Sequence, residues 1–70
     1  MVGTMKVYIL VGVGKHYCEN IRTAFNVEDA RQMLEAASNS EYDGNYAWFK
    51  VETWTPAGRV AVNLKAEEIQ

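Results

Sequence analysis

A single stretch of this chain carries helical spacing, and that limits what the chain can fold into. After Asn26, the apolar residues Ala30, Met33, Leu34 and Ala37 form one stripe, while Arg31, Gln32 and Glu35 fall away from it. Asn26 suits the N-cap, Asp29 can complete a capping-box-like exchange, and Glu28 with Asp29 favours the positive end of the helix dipole. Everything else with a pattern has a period of two. One helix covers one face of a sheet, so the other face of any sheet built here is left without a covering element.

The period-two runs are four. "MKVYILVGV" is the most apolar and β-branched, which places it centrally in a sheet, with Met5, Val7, Ile9, Val11 and Val13 on one side and Lys6, Tyr8, Leu10 and Gly12 on the other. Gly12 and Gly14 permit a bulge or turn before "CENIRTAF", which reads as a second strand with Ile21, Thr23 and Phe25 on one face. The polar loop "SNSEYDGN" stops the helix. The last two strands flank "TPAGR", and pairing Thr55 with Val60, Thr53 with Val62 and Val51 with Leu64 sets apolar against apolar across a loop of Pro56 to Arg59. That register also sets Lys50 opposite Lys65, an unfavourable pair.

The expected fold is α+β: β-β-α-β-β in one domain spanning residues 1–70, a mainly antiparallel four-stranded sheet with the helix packed on one face. The helix stripe is expected against Val7, Ile9, Val11, Phe49, Val51, Val60, Val62 and Leu64. Met5 is an alternative start, which would leave the first four residues a disordered lead or an expression remnant.

The even-numbered face of "YAWFKVETW" then faces outward. It carries both tryptophans of the chain, and the candidate binding surface is Tyr8, Leu10, Tyr46, Trp48, Lys50, Glu52 and Trp54. Contiguous exposed apolar surface marks interaction sites, and Trp and Tyr are enriched at interface hot spots. The structural alternative is a private minicore of Trp48 with Tyr46. A second copy of the chain could also cover this face. That would supply the staple that so short a domain, burying only about 60% of its unfolded surface, usually needs.

Other chemistry finds little support. "GVGKHY" lacks the first Gly and the trailing Ser or Thr of a phosphate loop, and Gly12 and Gly14 lack the third Gly of a dinucleotide fingerprint. His16 and Cys18 have no second His or Cys pair, so no metal site is expected, and no cofactor is implied. Side chains two apart on a strand are too distant for a nucleophile pair, and Glu28/Asp29, Glu41/Asp43 and Glu67/Glu68 have local explanations, so an enzyme is not expected. A lone cysteine and no long apolar run point to a reducing, cytoplasmic setting without a membrane. Aromatics joined by Lys6, Lys50 and Lys65 could stack nucleic-acid bases, but a net charge of −2 opposes the dominant electrostatic term.

In layout, "KVYIL", the capped "NVEDARQ", and "FKVET" followed by a turn and a last strand resemble small phage- or mobile-element-encoded proteins, including anti-CRISPR inhibitors of the single-helix, antiparallel-sheet kind. The resemblance implies a non-enzymatic protein that binds a host defence effector and blocks it sterically. Several such inhibitors present a basic face, from which this acidic chain departs.

Overall fold

The computed structural model describes residues 5–41 and 46–70; the expectation for residues 1–4, and that for residues 42–45 of the loop after the helix, lie outside them. The elements are β1 (Val7–Val13), β2 (Cys18–Ala24), α1 (Val27–Ala36), β3 (Trp48–Thr55) and β4 (Gly58–Asn63). They form a four-stranded antiparallel sheet in the order β2-β1-β3-β4, with α1 lying over β1, β2 and β3. The fold is α+β, with the β-branched β1 in the interior of the sheet.

The helix begins as its residues dictate. The Asp29 backbone N–H donates to Asn26 Oδ1 at 2.8 Å, and Asn26 Nδ2 donates to Asp29 Oδ2 at 3.0 Å. The first bond satisfies an otherwise orphaned backbone N–H of the first turn, and the second ties the two side chains together. Ala30, Met33, Leu34 and Ala37 are all buried. The helix does not stop at Ser38: Ala37–Glu41 continues it as a π-helical turn.

Core-face assignment holds for β3 and is inverted for β1 and β4. Leu10 lies opposite Val51 and Tyr8 opposite Thr53, and all four are buried. Antiparallel partners share a face, so the odd residues of β3 can join the helix only with the even residues of β1. Val7, Ile9 and Val11 therefore face away from the helix. On β4 the pairs are Thr53 with Ala61 and Val51 with Asn63, one residue off the expected register, so that Glu52 meets Val62. The connection is the two residues Pro56 and Ala57, with Gly58 at φ +129° in a region that favours glycine. In β2 a bulge falls opposite Leu10/Val11, so Ile21 packs on the core while Thr23 pairs with Ile9 on the other face and Phe25 is exposed.

Two features explain the inversion. The segment after β4 folds back as a 3₁₀ turn, Ala66–Glu68, against α1, and Ile69 is fully buried. Tyr8 Oη donates to the Gln70 carbonyl at 2.9 Å, and Arg31 Nη2 donates to the Ile69 carbonyl at 2.8 Å. The core is filled by Tyr8, Leu10 and Ile69, so Val60, Val62 and Leu64 are not needed there. The polar member Asn63 is satisfied, since its Nδ2 donates to the Val51 carbonyl at 3.3 Å and to Thr53 Oγ1 at 3.2 Å. A buried amide with such partners costs little.

Leu34→Ala and Ile69→Ala should each cost about 2–5 kcal/mol, whereas Val62→Ala should stay within about 0.5 kcal/mol of the parent. Urea denaturation checks this, and a Val62 cost equal to that of Ile69 would mean that β4 faces the other way.

Candidate functional site

The face without a helix is built on β1 and β3. Trp48, Lys50, Glu52 and Trp54 project from β3, opposite Val13, Val11, Ile9 and Val7 respectively. Trp48 and Trp54 are 46% and 36% exposed, while their odd-numbered neighbour Val51 is buried on the other side. The tryptophans are six residue steps apart along the strand, roughly 20 Å.

Between them Glu52 is the hub of a polar network. Its Oε1 accepts from Trp54 Nε1 at 3.0 Å, and its Oε2 lies 3.1 Å from Lys50 Nζ and 3.3 Å from Arg59 Nη1. The Glu52 side chain is only 12% exposed and that of Lys50 18%, but Arg59 stays half exposed. Burial of the Glu52 carboxyl pushes its pKa up, and the Trp54 indole N–H, Lys50 and Arg59 together outweigh that, holding it below the ordinary carboxylate value. The indole hydrogen bond fixes the Trp54 ring against the strand.

Of the seven residues expected on this face, Trp48, Lys50, Glu52 and Trp54 are brought together on it. Tyr8 and Leu10 are not, being core residues beneath the helix. Tyr46 belongs to the other side as well. It packs edge-on to Phe49, with ring centroids 5.5 Å apart, and its hydroxyl donates to Glu19 Oε1 at 3.3 Å. Tyr17 joins it at 6.0 Å. This is an aromatic minicore, but with Tyr46 against Tyr17 and Phe49 rather than Trp48. It gives Gly12 a steric role: a Cβ there would lie 2.7 Å from the Tyr46 ring and from Ile21 Cδ1.

Arg59 is the charged site residue that sequence reasoning missed, because the expected loop absorbed it. The signal was present in "TPAG", where Pro in the second position and Gly in the fourth mark a two-residue turn that returns Arg59 to the strand opposite Trp54. Val7, Ile9 and Val62 were missed through the face inversion.

Cys18 is exposed opposite Val13, His16 is exposed in the β1–β2 hairpin, and among the described residues no group of three or more His, Cys, Asp or Glu could hold a metal ion. No described helix is long and apolar enough to cross a membrane. A groove of about 410 Å³ runs between β2 and α1, past Arg22, Asp29 and Gln32, on the side away from the tryptophans. No protein-family model, curated protein or solved structure matches the chain.

Because the folded Glu52 pKa is depressed below its unfolded value, its contribution is present above about pH 4.5 and is lost as pH falls through the lower folded value. Urea denaturation between about pH 7 and pH 2.5 should therefore show a smaller loss of stability for Glu52→Gln than for the parent. Parallel profiles would remove the hub role.

Proposed function

We propose that this chain is a non-enzymatic protein-interaction module that docks its partner on the open face of the sheet. The observation that carries the reading is the pair of half-exposed tryptophans at the two ends of an inner strand, bracketing the Glu52 network. Rigid aromatic anchors around a polar centre suit a protein partner. Charge complementarity narrows its chemistry. Arg59 gives Glu52 only part of a five-donor guanidinium and is half exposed, so the partner presents an apolar patch with a carboxylate at its rim.

The most concrete form of this reading is a phage-type inhibitor that covers part of a bacterial defence complex, a form drawn from the resemblance in layout. The nucleic-acid reading loses support from the geometry. Tyr8 lies under the helix and so cannot stack a base on the tryptophan face, and Glu52 offsets part of the positive charge of Lys50 and Arg59 there.

The test pairs folding with binding. Trp48→Ala should melt like the parent, and Trp54→Ala should stay folded with a small loss of stability for the missing indole hydrogen bond to Glu52. Each should weaken retention of a nuclease-resistant partner from bacterial lysate, and then its titrated affinity, by about 2 kcal/mol or more. Variants that fold and bind normally would refute the docking face, and unfolding of both would return the tryptophans to the core.

A further inference from the structure

The exposed large aliphatic residues of the sheet gather on one edge strand. Val60 and Val62 in β4 are 58% and 44% exposed, and Leu64 follows them at 56%. β4 is an edge of the sheet, with β3 as its only neighbour among the described strands. Edge strands carry an outward row of backbone donors and acceptors, and natural proteins blunt them with charges, prolines or bulges. β2, the other edge, is blunted by the charges of Glu19 and Arg22; both edges carry a bulge, so it is the charges that distinguish them. In β4 the run Val60-Ala61-Val62 has no charge and no proline, and the bulge beside Trp54 leaves Val60 without a partner on β3.

We infer that β4 is a self-association edge, which pairs antiparallel with β4 of a second copy about a two-fold axis at Ala61. A second copy fits because the strand is complementary to itself. The axis sets Ala61 against Ala61, and Val60 of each copy against Val62 of the other. The only charge within β4, Arg59, comes opposite Asn63, and Lys65 opposite Ala57, so like charges do not oppose one another. Val62 shares the open face with its strand partner Glu52, so the four valines form a ridge on that side. The two sheets join into one of eight strands, with both helices on the same side. β2 offers nothing comparable, because apart from Ile21, which packs inward, its central residues Glu19, Asn20, Arg22 and Thr23 are polar.

This inference does not rest on the partner reading: it uses the edge of β4 rather than the tryptophans, with Val62, beside Glu52, the one residue common to both. Sedimentation over a roughly hundredfold concentration range should show a monomer–dimer equilibrium for the parent. Val60→Lys with Val62→Lys places ammonium groups opposite each other across the axis and should weaken dimerisation roughly tenfold or more, with melting of the dilute monomer unchanged. Val60→Lys with Val62→Glu sets an ammonium against a carboxylate across the axis and should restore it. Amide hydrogen exchange on the parent protein gives a second readout that needs no substitution: protection within 60–62 should rise with concentration, while that within 19–23 should not. A parent monomeric throughout, a dimer indifferent to the double lysine substitution, or protection independent of concentration would each overturn the inference.

Discussion

Burial of Ile69 against the helix and sheet settles which side of each strand is core. The segment after β4 seats this side chain with no exposure, and two hydrogen bonds to neighbouring carbonyls, from Tyr8 to Gln70 and from Arg31 to Ile69, tie it to β1 and to the helix. Glu68 secures the turn itself, its Oε1 accepting from the backbone N–H groups of Leu64 at 2.9 Å and Lys65 at 3.3 Å. A ten-residue helix is short for a four-stranded sheet. The closing segment adds the apolar volume that the helix does not supply, and large hydrophobic side chains of β4 are left outside.

The exposed face follows from that arrangement. With Tyr8 and Leu10 drawn under the helix, β1 turns its β-branched residues Val7, Ile9 and Val11 to the other side, and the tryptophans of β3 stand among them. A charged triad in so apolar a setting would be costly without partners, but each member of the Lys50–Glu52–Arg59 group has one, and Trp54 contributes a further hydrogen bond. The same network fixes the Trp54 ring against the strand, and an anchor fixed in advance lowers the ordering cost of the proposed docking.

What could be read from the residues was local. The N-cap exchange of Asn26 with Asp29, the buried stripe through Leu34 and the inner position of β1 depend on near neighbours or on composition, and these were legible. Facing was not, because both sides of "KVYILVGV" are apolar and alternation alone does not choose between Tyr8/Leu10 and Val7/Ile9. In β4, the alternating Val60, Val62 and Leu64 favoured the wrong side, since nothing nearby shows that Asn63 finds Val51 and Thr53 as partners. Of the site, the even-numbered residues of "WFKVETW" were legible because β3 alternates clearly. Tyr8, Leu10 and Tyr46 were misplaced because their facing depends on pairings set by other strands.

The central claim is that the helix packs on the even side of β1, leaving the tryptophan side open. Nuclear Overhauser contacts from the Leu34 methyl groups test it most directly. The account predicts cross-peaks to Leu10, Val51, Tyr8 or Ile69, which share one buried cluster with Leu34. Cross-peaks from Leu34 to Ile9, Val62 or Trp54 instead would contradict it, and would put the helix over the tryptophan face.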